Sequence, residues 1–287
     1  MALLVGTEEG VFVLGDPDPV LPDRAVAHVG RWEDQWWACS RDGVIFRDGR
    51  PVAALPDGAV PTCVQPTGET VWVGADRARL YRLVDGDLIR DEAFDRAPGR
   101  GRWYTPWGGP PDVRSLTVDA GGTLYVNVHV GGVLRHDGSD VVPLLDIDAD
   151  AHQVVGHRRI EATVFAATAV GLAQSIGGAE FGFRTEGLHD VYCRAVAVGD
   201  DRVFVSASTG PSSVHGRLYR APLREGPLEP MISGLPEWFA GNVDTHHLTV
   251  HEGSVYVGFG ATVWASADDG ATWVTAADGL PRVTCLA

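Results

Sequence analysis

The sequence has no apolar run close to the roughly 20 residues needed to cross a bilayer, so no membrane-spanning helix is expected. It also lacks an N-terminal basic segment followed by an apolar core and a cleavage site, and cytoplasmic residence is the expectation. Clustered positive charge is missing too. Only 21% of the residues are charged, and the formal net charge is −15. Nucleic acid and anionic lipid both need Lys and Arg in clusters, which argues against either as a partner. Cysteine is scarce, with 4 in 287 residues. What the chain has in quantity is turn chemistry, with Gly 36 and Pro 18. That suits many short strands better than long helices.

A unit of roughly 40 residues recurs along the chain, the length of one four-stranded blade. Each unit opens with an apolar strand, as in Val113–Val118, 193–198 and 246–250. A tight Gly/Asp turn and an aromatic-rich second strand follow, as in 123–128, 163–168 and 254–259. A third strand and a looser fourth complete the unit. A weaker copy holds Gln35–Ser40 and 43–46. The two ends read together as one more copy: the 282–287 segment followed by 2–14 parallels 60–83. The count is seven. The expected fold is therefore all-β, a single seven-bladed β-propeller over residues 1–287, closed by a blade shared between the N- and C-termini. On this register Cys63, Cys193 and Cys285 lie on inner strands of different blades and Cys39 on a second strand. They are too far apart to bridge, and buried free thiols are expected.

The segment Ser266-Ala-Asp-Asp-Gly-Ala-Thr-Trp273 matches the pattern Ser-x-Asp-x-Gly-x-x-Trp. A decayed copy starts at Ser175. On these residues the chain resembles the BNR/Asp-box (sialidase-like) propellers, which include sialidases, xyloglucanases and photosystem II assembly factors. The resemblance implies a structural turn whose Asp and Ser tie the hairpin while the Trp packs between blades. A sialidase would carry an arginine triad and an N-terminal Arg-Ile-Pro signature, and this chain has neither.

Strands run up and down within a blade, so each turn can be assigned to a face. His129, His152, His189, His215, His246 and His247 fall on one face, and His157 and His251 on the other. The two longest links between blades rise on the histidine face. One carries Trp103, Tyr104 and Trp107, and the other carries Trp238. Aromatic loops over a polar channel mouth describe a covered pocket. Neutral imidazole is the commonest protein metal ligand. His129, His152 and His246 are therefore the expected ligands of one transition-metal ion: copper, iron or zinc. His189 and Tyr192 are the candidate catalytic groups. Arg114 and Arg194 open inner strands beside these histidines and suit an anionic ligand, held by them together with Trp103, Tyr104, Trp107 and Trp238. Alternatively, these arginines pair with Asp112, Asp190 or Asp244 and only hold the loops.

The leading reading is a metal-dependent enzyme acting on a small, anionic substrate at the channel mouth, of oxidase, oxygenase or lyase type. A non-catalytic protein-binding propeller is the alternative, with the aromatic loops as its interface. A carbohydrate-active enzyme or lectin is the third, with Glu237 and Asp244 as its carboxylates. A monomer is expected, with a small molecule or a protein partner at the histidine face.

Overall fold

Second strands such as Leu124–Val128 and Val164–Thr168 are buried at every position, whereas fourth strands such as Gly182–Arg184 and Val274–Ala277 are largely exposed. That gradient is what blades standing side by side produce. A strand covered on both faces reads as an unbroken apolar run, and one at the rim does not. The computed structural model describes residues 2–68 and 70–287. These residues form seven antiparallel four-stranded sheets around a common axis. The expected seven-bladed all-β propeller is the observed fold. Among the described residues, no helix is long and apolar enough to cross a membrane.

The first blade is built from both ends of the chain. Its inner strand, Val283–Leu286, pairs antiparallel with Leu4–Thr7, with Val5 opposite Leu286 and Gly6 opposite Cys285. Leu4 and Ala287 exchange backbone hydrogen bonds of 2.7 and 3.0 Å. The core lies between blades rather than at a single centre. One apolar cluster joins Cys63 and Leu80 of the third blade to Val113, Leu124 and Leu134 of the fourth. Such side chains contribute about 1.5–3 kcal/mol each when fully buried. Blades approach closely enough that a Cβ on Gly74 would lie 2.5 Å from Val113 Cγ1. All four cysteines are free and buried. Burial pushes the Cys63 thiol up to about 12 and the Cys285 thiol up to about 11.

Two features position the histidine face. First, inner strands carry a register shift near their start: between Val26 and His28, Pro61 and Cys63, Val113 and Ser115, and Ala151 and Gln153. The skipped residue is left out of the ladder and re-aimed, as bulges do. Ala27, Thr62 and Arg114, re-aimed in this way, line a cavity of about 740 Å³ at this mouth of the channel. Second, the inner strand of the seventh blade starts late, at Leu248. The residues before it cross the axis. His246 has φ 66°, a left-handed conformation that turns the chain into the channel. Its carbonyl accepts from Leu286 N at 2.9 Å, and its N–H donates to Gln153 Oε1 at 3.1 Å. Segment 244–246 thus plugs the channel. His246 borders both the 740 Å³ cavity and one of about 610 Å³ on the opposite side.

Candidate metal centre

His152 is the re-aimed residue of Ala151–Gly156 and is fully buried. Its Nδ1 lies 2.6 Å from the carbonyl of Cys193 in the next blade. A carbonyl only accepts, so Nδ1 carries the proton and Nε2 presents a lone pair. That Nε2 has no hydrogen-bond partner. It faces Asp150 Oδ2 at 3.6 Å. Asp150 closes a short 3-10 turn, Ile147–Ala149, in the left-handed conformation with φ 46°. Asp tolerates this conformation better than most residues, and it swings the carboxylate back toward the face. The second oxygen, Oδ1, is also buried and unpartnered, 3.6 Å from His129 Nε2. His129 follows the second strand of the fourth blade, where its N–H donates to Asp112 O at 3.0 Å.

Ligand atoms of His129, Asp150 and His152 all lie within 4.8 Å of one another, the one such group among the described residues. Zinc–nitrogen and zinc–oxygen bonds near 2.1 Å set neighbouring tetrahedral ligand atoms about 3.4 Å apart. Each imidazole stands 3.6 Å from a different oxygen of Asp150, and with one ligand atom from each residue the group lies within 4.8 Å. Two imidazoles and one carboxylate are a donor set used for zinc and for non-haem iron. The hydrogen bond from Nδ1 to a backbone carbonyl is the support that ligating histidines usually have. Burial, then the Arg114 charge, holds the His129 imidazole down to about 3, against the pull of Asp150. The ring is therefore unprotonated at neutral pH, as a ligand must be. Burial raises the Asp150 carboxyl, but the facing imidazoles and Arg114 outweigh it and hold it below the usual range.

His246, the expected third ligand, is not in this group. Its Nε2 donates to Arg114 O at 3.2 Å, and its ring packs 4.0 Å from that of His28. The left-handed turn carries it into the channel, and Asp150 stands in its place.

Beside the histidine pair, Arg114 donates from Nη2 to Asp244 Oδ1 and from Nε to Thr245 Oγ1, each at 3.0 Å. Thr245 Oγ1 in turn donates to His152 O at 3.1 Å. Arg194 Nε lies 3.2 Å from the same Asp244 oxygen without a well-directed hydrogen bond. The two arginines do share an acidic partner, Asp244, which burial would raise but the two guanidiniums hold far below the usual carboxylate range. The Tyr192 ring lies 4.8 Å from His152 and 5.9 Å from the Arg194 guanidinium carbon. Burial pushes its hydroxyl above the ordinary phenol range. Trp107, 71% exposed, stands over His129 at 5.0 Å and lines the cavity.

The other expected site residues lie elsewhere. Trp103 packs on Phe94 and Arg100 within a core cluster. Tyr104 is 52% exposed and is not in the wall of the cavity. His189 belongs to a separate aromatic group, where Nδ1 meets the Tyr219 hydroxyl at 2.7 Å and Nε2 the His215 carbonyl at 3.2 Å. Trp238 joins that group at 4.9 Å from His189, with the Arg217 guanidinium stacked 3.8 Å over it. Glu237 lies there too, its carbonyl accepting from Arg217. Sequence reasoning missed Asp150 and Thr245. The acidic run 146–150, ending two residues before His152, was the available signal for Asp150.

No family model and no curated protein matches the chain. Solved structures do resemble it. A virginiamycin B lyase from Staphylococcus aureus, a catalytically inactive histidine-to-alanine form with quinupristin, is similar at TM-score 0.62 and 11% identity, covering 90% of this chain and 88% of that one. A candidate 6-phosphogluconolactonase from Bacteroides uniformis matches at TM-score 0.60 and 11% identity, over 100% and 98%. The WD40 propeller domain of Doa1 matches at TM-score 0.60 and 14% identity, over 88% and 81%. At these identities the likeness concerns the fold. Such propellers serve both as enzymes and as binding modules.

Proposed function

We propose that this protein is a metal-dependent enzyme whose site lies at the plugged channel mouth and takes a small anionic substrate. His129, Asp150 and His152 hold one transition-metal ion, with zinc and iron fitting the donors better than magnesium. The observation that carries this reading is the pair of buried, unpartnered acceptors, His152 Nε2 and Asp150 Oδ1, converging with His129. Buried acceptors without donors are costly, and a cation between them removes the cost. Bound there, the ion supplies Lewis-acid polarisation of a substrate oxygen. Tyr192 lies beside His152, and burial keeps its hydroxyl protonated, which suits it to donate a hydrogen bond to a substrate oxygen rather than to transfer a proton. Trp107 covers the site, and Arg114 and Arg194 bring positive charge to it. A lyase and a candidate lactonase among the similar folds are in keeping with chemistry at a carbonyl or ester oxygen.

The test is metal analysis of protein purified without a histidine tag, before and after loading with Zn²⁺ or Fe²⁺ and desalting. One equivalent is expected in wild type and none in His152→Ala or His129→Ala, with the β-sheet spectrum unchanged. Wild-type protein that never retains metal would leave the second reading, a binding propeller. That reading is favoured by the exposed Trp107.

A further inference from the structure

Two guanidiniums, Arg114 and Arg194, stand at one wall of the mouth cavity and share a single carboxylate. The sharing is unequal. Asp244 Oδ1 already accepts from Arg114 Nη2 at 3.0 Å and from Thr245 N at 2.8 Å. Arg194 Nε reaches the same oxygen only off-axis and is left buried with no acceptor. Asp244 pairs with both cations but accepts a hydrogen bond only from Arg114, so one buried guanidinium donor, Arg194 Nε, remains without an acceptor.

We propose that this wall is the seat of a substrate carboxylate, so that the substrate is a small carboxylic acid carrying a second oxygen donor beside its acid group. The part concerning the second oxygen rests on the metal reading above. Charge selects the class. The wall already carries the carboxylates Asp112 and Asp244, so a singly charged acid meets less repulsion there than a phosphate, which carries up to two negative charges near neutral pH. Shape agrees, because the guanidinium fork pairs with a planar carboxylate through parallel hydrogen bonds. The anion seat and the metal trio adjoin. His129, Trp107, Arg114, Arg194 and Asp244 line one cavity, and Tyr192 touches both His152 and Arg194. Of the trio, His129 lines this cavity, so an acid held on Arg194 brings its neighbouring hydroxyl, keto or ester oxygen to the His129 side of the metal group. Asp244 is the positioning residue. It fixes Arg114 and repels a second negative charge, which gives the site its preference for singly charged acids.

Isothermal titration at pH 7 with acetate, glycolate and inorganic phosphate tests this on untagged full-length protein, with and without one equivalent of Zn²⁺. Glycolate should bind the zinc-loaded protein at least tenfold tighter than acetate does. Acetate should bind both forms, and phosphate should bind more weakly than glycolate. Arg194→Gln should weaken both acids at least tenfold while zinc stoichiometry stays at one, and Arg194→Lys should recover part of the loss. If wild type holds no zinc, the metal reading fails separately, and loss of acetate binding in Arg194→Gln still supports the carboxylate seat. Tighter binding of phosphate, unchanged acid binding in both Arg194 variants, or no acid binding by wild type in either form would overturn the proposal.

Discussion

His152 Nε2 and Asp150 Oδ2 face each other at 3.6 Å as two acceptors, because the Cys193 carbonyl has claimed the imidazole proton on the opposite side of the ring. Without a cation the pair is a local defect. With one it is a ligand set.

That relationship predicts opposite signs for one substitution. Asp150→Asn keeps the size and the tolerance of φ 46° and supplies an amide donor toward Nε2. Metal-free Asp150→Asn should therefore be more stable than metal-free wild type, by about 1 kcal/mol, the usual net worth of one hydrogen bond. The same variant should lose stoichiometric metal. Chemical denaturation of the metal-free proteins, paired with metal analysis, reads both. A destabilised metal-free variant would show that the two groups already share a proton.

The buried His28 ring gives a pH dependence. Burial holds it down to about 4, against a hydrogen bond with Val64 that pulls the other way. Its ordinary value is near 6.5. Between those values the unfolded chain takes up a proton that the folded chain refuses. Stability is thus full above about pH 6.5, declines as the pH falls, and levels off below about 4. The whole shift corresponds to about 3 kcal/mol. His246, packed against it, is displaced in the same direction by burial and adds to the slope. Urea midpoints for wild type should drop between pH 6.5 and 4, and His28→Gln should show a shallower drop. Equal slopes would remove His28 from the account.

The Ser266–Trp273 turn is tied by Asp268, which accepts from Thr272 N at 2.8 Å and from Thr272 Oγ1 at 2.6 Å, while Ser266 Oγ accepts from Gly270 N at 2.8 Å. The Thr272 bonds hold the Asp268 carboxyl near 2. Trp273 is buried against the sixth and seventh blades. Asp268→Ala should lower the melting temperature and leave metal content and acid binding unchanged. A folded variant with impaired binding would tie this turn to the site at the channel mouth.

The ring closure was legible because the blade repeat is periodic, and the Val283–Leu286 strand completes a pattern seen intact at 60–83. His129 and His152 were legible by the same logic, since strand direction assigns each turn to a face. His246 was not. Alignment with His152 assumed an ordinary strand start, and one left-handed residue carried the chain into the axis instead. Asp150 was hidden for a similar reason, because its role depends on a backbone conformation that strand periodicity does not encode. Among the aromatic residues of the first long link, the pattern could not separate Trp103, which packs inward, from Trp107, which stands over the cavity.

The segment that plugs the channel also changes the mechanics of the ring. Propeller blades are joined to their neighbours around the circumference, so the inner diameter can breathe as small slips between blades accumulate. Here, bonds run across the opening like spokes: Asp244 to Arg114, Thr245 to the His152 carbonyl, and His246 to Gln153, Arg114 and Leu286. They tie the seventh blade directly to the first, fourth and fifth. A ring braced in this way cannot widen at one edge without pulling on the others, so the spacing of His129, Asp150 and His152 is set by the whole circle.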